Sequence, residues 1–187
     1  CKNVSSDIRQ CVVNSDLIII ATPLSSYKEI ILSIKDNLKK NAILTDTGSV
    51  KKEVMKIIYN INLKDVHWIS SHPIAGTEES GPKAGQAELF NNRWCIISPP
   101  KNCAEKPIKS LKTLWERIGC KVKIMTPEEH DKILSLTSHL PHVIAYNIVR
   151  TVMSVEDKLK QEVIQYSAGG LRDFTRIAAS NPLMWRD

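Results

Sequence analysis

The chain has 187 residues, of which 42% are hydrophobic and 25% are charged, a balance typical of a globular protein with a hydrophobic core. No apolar run approaches the roughly 18 residues of a membrane-spanning helix and no signal peptide is recognisable, so we expect a cytoplasmic protein without a membrane partner. The net charge of +6 comes from scattered lysines, and without an arginine-rich arm or a helix-turn-helix signature it does not predict nucleic-acid binding.

The first two thirds of the chain alternate β-branched runs with amphipathic helices, the pattern of a parallel α/β sheet. Periodicity predicts strands at 16–21, 42–46, 66–70, 94–98 and 121–125. It predicts helices at 26–38, 50–61 and 108–118. Several of these strands end in polar or turn-forming residues, and the carboxyl ends of parallel strands are where ligands bind in such sheets.

From residue 127 onward the pattern is helical, so we place a domain boundary near Thr126. A long helix is predicted at 128–153, with a kink at Pro141 because proline removes a backbone donor. Residues 128–131 (EEHD) are expected to supply acidic side chains and a cap to the first turn of this helix. A further helix, at 155–167, leads into Gly169 and Gly170.

Two types of site are absent from the sequence. The five cysteines are an odd number without a C-x-x-C pair, so neither a disulfide framework nor a zinc site is expected. No glycine precedes Gly48, so no G-x-G-x-x-G motif opens the chain, and Pro82 stands where a P-loop starting at Gly76 would need lysine.

Four polar segments are candidates for a functional site. In residues 46–51 (DTGSVK), Ser49 can cap the following helix, face a ligand, or do both. His72 follows a predicted strand and begins a loop rich in proline and glycine, so it meets either a ligand or the loop itself.

The other two segments lie in the helical part. His139 and His142 are three residues apart but have no third metal ligand in register, so contacts to a substrate or a buried polar network are favoured over metal binding. Arg176 lies among apolar residues and needs an anionic partner, which is either Asp173 or a substrate carboxylate.

Seven segments, in this order, together resemble the prephenate and arogenate dehydrogenase family. They are DLIIIATP (16–23), TDTGSVK (45–51), SHPIAGTExSG (71–81), LFxxRW (89–94), MTPEEHD (125–131), SHLPH (138–142) and RDFTRIAASNPxMW (172–185).

The resemblance implies a fold and a reaction. The fold would be an N-terminally truncated α/β Rossmann-type parallel sheet at residues 1–126, a partial dinucleotide-binding domain. An all-helical domain at residues 127–187 would bind substrate and form a homodimer. The reaction would be the oxidative decarboxylation of prephenate, and of arogenate in some members, with hydride transfer to NAD or NADP in tyrosine biosynthesis.

The resemblance also implies residue roles. His72 matches the catalytic histidine, and Ser49 matches a serine that hydrogen-bonds the same substrate hydroxyl next to the cofactor. The substrate pocket and its boundary would include His139, His142, Arg176, Thr77, Glu78, Asp173 and Trp185. The nicotinamide edge would include Thr22, Pro23, Thr47 and Ser49. No metal site is implied.

The chain departs from the family pattern at both ends. The first strand with its glycine-rich turn and the last helices are missing, so we expect a fragment that by itself binds dinucleotide poorly. The residue that selects NAD or NADP would lie in the missing part, and NAD is preferred here. His142 favours prephenate, and dual specificity stays open. A β-hydroxyacid-type dehydrogenase and an inactive binding module are the alternatives.

Overall fold

The computed structural model describes residues 4–76 and 85–180, which form two compact units. The first unit contains residues 4–75 and 86–131, and the second contains residues 76, 85 and 132–180.

The first unit is an α/β unit with six strands and five helices in its described part. The strands are β1 (Leu17–Ile20), β2 (Ile43–Asp46), β3 (His67–Trp68), β4 (Ser70–Pro73), β5 (Trp94–Ser98) and β6 (Lys121–Ile124). The helices are α1 (Ile8–Val12), α2 (Tyr27–Ile34), α3 (Lys52–Ile61), α4 (Glu105–Ile118) and α5 (Pro127–Leu134), the last of which ends in the second unit. Short 3-10 turns flank α2 at Leu24–Ser26 and Lys35–Asn37.

The strands form two three-stranded ladders, β1-β2-β3 and β4-β5-β6. β1, β2 and β3 are parallel, with Leu17 opposite Ile43 in the first pair. Only Ile69 separates β3 from β4, and its N–H donates to the carbonyl of Leu44 at 3.0 Å. β4 therefore continues alongside β2, and the two ladders lie next to one another.

Helices cover both faces of these strands. Side chains alternate between faces along a strand, so Leu44 packs into a core with α2 and α3, whereas its neighbour Ile43 packs against the core of α4. Trp68 and Ile69 divide between the same two cores. This is the three-layered arrangement of doubly wound α/β proteins.

One strand pair differs from the predicted all-parallel sheet. β4 and β5 are antiparallel, with His72 opposite Ile96. The reason is local, because the N–H of Ile74 donates to the carbonyl of Trp94 at 2.7 Å and β5 therefore begins where β4 ends. A parallel pair would require a crossover to the opposite end of the sheet.

The second unit is helical. It contains α6 (Leu140–Met153), α7 (Asp157–Gln165) and α8 (Gly169–Ala178). The hydroxyl of Tyr146 donates to the carbonyl of Ser180 at 2.9 Å, which ties α6 to the end of α8. The glycine pair that follows the predicted helix at 155–167 forms the first turn of α8.

The long helix predicted at 128–153 is interrupted by a π-helical turn at Ser135–His139, just before Pro141. The N–H of Leu140 donates to the carbonyl of Ser135, five residues back. Pro141 itself lies in the first turn of α6, where a missing N–H costs least.

Candidate active site

The polar edge of the first unit lies at the carboxyl ends of β1, β2 and β4. β1 and β2 are parallel, and β4 continues beside β2, so residues in β4 and those at or just after the ends of β1 and β2 meet at one edge of the sheet. The segments at this edge are 21–23, 46–51 and 70–73.

The carboxylate of Asp46 is the most heavily hydrogen-bonded group at this edge. Its Oδ1 atom accepts from the hydroxyl of Ser70 at 2.6 Å and from the N–H of Ser71 at 3.1 Å. Its Oδ2 atom accepts from Lys51 Nζ at 2.7 Å and from the N–H of Gly48 at 3.0 Å. Both oxygens of this buried carboxylate are therefore held by hydrogen-bond donors.

Lys51 is the counter-charge to Asp46, and both side chains are 0% exposed. Lys51 Nζ also donates to the carbonyl of Ser71 at 2.8 Å. Burial lowers the pKa of Lys51, and the Asp46 carboxylate opposes that shift. The ion pair therefore joins the end of β2 to β4 directly beside His72. Because both charges are buried, removing either partner would leave an unpaired buried charge and strongly destabilise the fold.

Tyr27 and Gly48 complete this cluster. The hydroxyl of Tyr27 lies 3.4 Å from Asp46 Oδ2 and donates to it. Burial raises the pKa of Tyr27, as does the Asp46 charge, so the phenol stays protonated. A Cβ atom on Gly48 would lie 3.0 Å from both Asp46 Oδ2 and the Tyr27 hydroxyl. Any side chain at position 48 would therefore have to displace the Asp46 carboxylate or the Tyr27 hydroxyl slightly.

His72 belongs to a chain of three titratable side chains. Its Nδ1 atom lies 2.9 Å from Nε2 of His130, and Nδ1 of His130 lies 2.7 Å from Oδ1 of Asp131. His130 is fully buried, whereas His72 is half-buried on β4. The two rings meet edge to face, with centroids 5.1 Å apart and an interplanar angle of 61°.

Asp131 also holds the start of α3. Its Oδ1 accepts from the N–H of Lys51 at 2.8 Å, and its Oδ2 accepts from the N–H of Lys52 at 2.9 Å. Ser49 therefore does not cap α3, contrary to one of its two expected roles. The N-terminal donors of this helix use a carboxylate 79 and 80 positions away in sequence, which also complements the helix dipole.

The start of α5 confirms the expectation for residues 128–131 in part, because Glu128 and Glu129 are first-turn acids and Glu129 contributes to the cap. The cap is a reciprocal pair formed by Thr126 and Glu129, in which the N–H of Thr126 donates to Glu129 Oε2 at 2.9 Å and the N–H of Glu129 donates to Thr126 Oγ1 at 3.2 Å. Only Glu128 and Glu129 are first-turn acids. His130 and Asp131 instead face the polar edge.

The pKa values in this chain are displaced in a consistent direction. Burial lowers the pKa of His130 and outweighs the hydrogen bond to Asp131, so His130 is neutral at pH 7. Burial alone would raise the pKa of Asp131, but hydrogen bonds from Lys52, His130 and Lys51 together hold it below its ordinary value. The pair is thus a neutral imidazole beside a carboxylate.

The residues predicted at the nicotinamide edge follow β1 and β2. Thr22 is exposed, and its hydroxyl accepts from Ser26 at 3.0 Å. Pro23 precedes the turn Leu24–Ser26. The N–H of half-buried Thr47 donates to the carbonyl of Ile20 at 3.2 Å, and Ser49 is exposed.

Two predicted substrate residues lie at the end of the π-helical turn of the second unit and just after it. His139 ends this turn, and His142 lies in the first turn of α6, where its Nδ1 donates to the carbonyl of Ser138 at 2.9 Å. Both side chains are half-buried. π-helical turns inside α-helices are frequent at functional sites.

Arg176 and Asp173 are exposed on α8, and no ion pair joins them within the described ranges. Asp173 is therefore not the anionic partner of Arg176 in the described part of the chain. Thr77, Glu78 and Trp185 lie outside the described residues.

Sequence reasoning missed four residues at the polar edge: Asp46 and Lys51 as a buried ion pair, and His130 and Asp131 as the partners of His72. The first pair had a signal, since a lysine and an aspartate next to a strand end in an apolar context need each other. The second had none, because the contact between His72 and His130 spans 58 positions.

Within residues 4–76 and 85–180, no three His, Cys, Asp or Glu side chains are grouped to hold a metal ion. No helix in the same ranges has the length and apolar character needed to cross a membrane.

A doubly wound sheet with a polar carboxyl-end edge, followed by a helical unit, defines a nucleotide-binding α/β protein with an accessory helical domain. Two family models match the chain: "Prephenate dehydrogenase, nucleotide-binding domain" over residues 2–125 and "Prephenate dehydrogenase, dimerization domain" over residues 126–187. The chain therefore belongs to the prephenate dehydrogenase family, which confirms the predicted family and fold class.

Individual relatives agree. The chain is 42% identical to the cyclohexadienyl dehydrogenase of Zymomonas mobilis, covering 99% of this chain and 63% of the relative. It is 33% identical to the prephenate dehydrogenase of Bacillus subtilis, covering 91% and 46%. A crystal structure of prephenate dehydrogenase from A. aeolicus in complex with hydroxyphenyl propionate and NAD+ superposes with a TM-score of 0.87 at 35% identity, covering 98% and 63%. The chain thus spans less than two thirds of each of these relatives.

Proposed function

We propose that the protein catalyses the oxidative decarboxylation of prephenate to 4-hydroxyphenylpyruvate, with NAD as the preferred hydride acceptor, in tyrosine biosynthesis. The observation that carries this proposal is the position of His72 at the carboxyl end of β4, backed by His130 and Asp131. Membership of the prephenate dehydrogenase family supports it.

His72 is proposed as the general base. When hydride leaves the ring carbon that carries the hydroxyl, that hydroxyl must lose its proton, and a neutral imidazole is suited to take it near pH 7. The bond to the ring carboxylate then breaks, carbon dioxide leaves, and its electron pair makes the ring aromatic. The proton on His72 returns to the phenolic oxygen, so the reaction releases no net proton.

The residues at the polar edge fit a nicotinamide. Gly48 brings the backbone after β2 close to Asp46, and Thr22, Pro23, Thr47 and Ser49 follow the ends of β1 and β2, where an α/β sheet binds a dinucleotide. A bound nicotinamide would supply the hydride acceptor. Ser49, being exposed, is proposed to donate a hydrogen bond to the substrate hydroxyl beside it.

The substrate side is proposed to come from the helical residues. Arg176 would bind a substrate carboxylate with its planar guanidinium fork, and Asp173 does not occupy it with an ion pair in the described ranges. His139 and His142 would contact the substrate, and His142 is the feature that favours prephenate over arogenate. Thr77, Glu78, Asp173 and Trp185 are proposed for the pocket boundary.

We also propose that residues 127–187 form a homodimer interface, with the domain boundary at residue 126. α6 and the preceding π-helical turn expose Leu136 (62%), Leu140 (47%) and Val143 (55%). An exposed row of large apolar side chains is typical of a subunit interface. The description of the matching family model as a dimerization domain supports this proposal.

The test is reduced-nicotinamide formation at 340 nm by the full-length gene product. Prephenate and arogenate are offered separately, each with NAD and with NADP. We expect turnover with prephenate and NAD that His72→Asn lowers by roughly 100-fold or more. Sedimentation of the same sample gives the subunit number. Absence of turnover with either substrate, from a folded protein that binds NAD, contradicts the proposal.

A further inference from the structure

We infer that His130 and Asp131 are positioning residues that fix the tautomer of His72, so that Nε2 of His72 is the nitrogen that carries the lone pair. The role of that lone pair in proton transfer rests on the proposed function, whereas the tautomer itself does not.

The argument begins at the carboxylate. Asp131 Oδ1 accepts from the N–H of Lys51, and Oδ2 accepts from the N–H of Lys52. An ionised carboxylate only accepts hydrogen bonds. The nitrogen of His130 that lies 2.7 Å from Oδ1 must therefore carry a hydrogen, and this nitrogen is Nδ1.

The next link is the protonation state of His130. Its side chain is fully buried, and burial disfavours the imidazolium. The charged groups that act on it are Asp131 on its own helix and the ion pair of Lys51 with Asp46. Lys51 opposes a second positive charge, and Asp46 is already neutralised by Lys51. A neutral His130 with its hydrogen on Nδ1 has an acceptor at Nε2.

The last link is His72. Its Nδ1 lies 2.9 Å from the acceptor Nε2 of His130, so the hydrogen between them must belong to His72 Nδ1. A neutral His72 then carries its lone pair on Nε2. Which nitrogen of a histidine is protonated is set by the hydrogen bond that the other one makes.

The same carboxylate also connects this chain to the cofactor edge. Asp131 accepts from the first N–H groups of α3, and α3 begins directly after the loop 46–51. The orientation of His130 is therefore fixed by the helix that follows Ser49. The Asp131 carboxylate therefore holds both His130, which sets the tautomer of His72, and the helix that follows the loop 46–51 proposed to contact the nicotinamide.

The first experiment measures the tautomer by nitrogen NMR of the 187-residue chain labelled with ¹⁵N-histidine at pH 7.5. The five histidines are assigned by single substitutions. We expect a protonated Nδ1 and an unprotonated Nε2 for His72. A His72 signal with the hydrogen on Nε2 overturns the inference.

Two variants make the comparison specific. His130→Leu removes the acceptor, and we expect His72 to change to a mixture of tautomers or to the Nε2–H form. His130→Gln places an amide oxygen near the former Nε2 position, and we expect it to retain the wild-type tautomer. The amide spectra of the sheet show whether each variant is folded. A folded His130→Leu protein with an unchanged His72 tautomer overturns the inference.

Kinetics of the full-length gene product separate this inference from the proposed function. We expect His130→Leu to lower kcat by roughly 10- to 100-fold with KM for prephenate within about twofold, and His130→Gln to recover most of the loss. An active wild type whose kcat does not respond to His130→Leu overturns the positioning role. An inactive wild type overturns the proposed function, while the NMR result decides the tautomer independently.

Discussion

Replacement of Lys51 by methionine tests whether the buried ion pair supports the polar edge. Methionine has a similar length but no charge, so the substitution leaves the Asp46 carboxylate buried without a counter-ion. Lys51 Nζ lies 2.7 Å from Asp46 Oδ2 and 2.8 Å from the carbonyl of Ser71, and both side chains of the pair are 0% exposed.

The expected loss is large because neither group can reach water. Removing one partner of a buried pair costs about 3–5 kcal/mol. That is a substantial part of the roughly 5–15 kcal/mol that stabilises a typical domain. For a protein of this size it corresponds to a decrease in Tm of about 6–20 °C.

Urea unfolding followed by tryptophan fluorescence measures this loss. Trp68 and Trp115 are buried in the two cores of the first unit, so their signal reports that unit. Asp46→Asn alone should cost a similar amount to Lys51→Met. The double variant should cost clearly less than the sum, because it leaves no unpaired charge. A loss below about 1 kcal/mol for Lys51→Met, or strict additivity in the double variant, would refute the reasoning.

Three further predictions concern neighbouring groups. Gly48→Ala should lower the free energy of unfolding by about 1–3 kcal/mol, because the added Cβ would lie 3.0 Å from Asp46 Oδ2 and the Tyr27 hydroxyl. Urea unfolding measures this loss, and an unchanged free energy of unfolding would contradict the close approach. Since the folded-state pKa of His130 lies below the ordinary value of 6.5, the unfolded chain binds the proton first as pH falls. The stability advantage of wild type over His130→Gln should therefore be complete above about pH 6.5 and shrink on acidification by at most about 1.4 kcal/mol per pH unit. Denaturation curves of both proteins from about pH 7.5 to about pH 5 measure this difference in the free energy of unfolding. A difference that does not change with pH would show that His130 is not held neutral. Thr126→Ala should cost about 1 kcal/mol by removing the α5 cap, with Thr126→Ser as the control that retains it.

The fold was largely predictable because its signals are local. Strands such as β2 and β5 are short β-branched runs, and α4 repeats its apolar residues at helical spacing, so each element is encoded within its own segment. The antiparallel direction of β5 could not be predicted in this way. The direction depends on the end of the sheet at which β5 begins, and the local periodicity of a segment contains no information on that.

The candidate site was predictable in part. His72 and Ser49 could be named because they stand next to strand ends, where ligands bind in an α/β sheet. The partners of His72 could not, because His130 has the sequence context of an ordinary first-turn residue of a helix. Only the packing of α5 against the polar edge buries it and turns it toward β4. The capping role considered for Ser49 was wrong for the same reason, since Asp131 reaches α3 from a distant segment.

The pH dependence of kcat/KM for prephenate oxidation, measured on the full-length wild type and on His72→Asn, tests the central claim most directly. Such a profile reports the protonation of essential groups in the free enzyme. If His72 is the base, kcat/KM falls on the acid side in wild type as one group is protonated. In His72→Asn the value is lower by roughly 100-fold or more and that acid limb is absent. A variant that keeps both the wild-type rate and the wild-type acid limb would contradict the account.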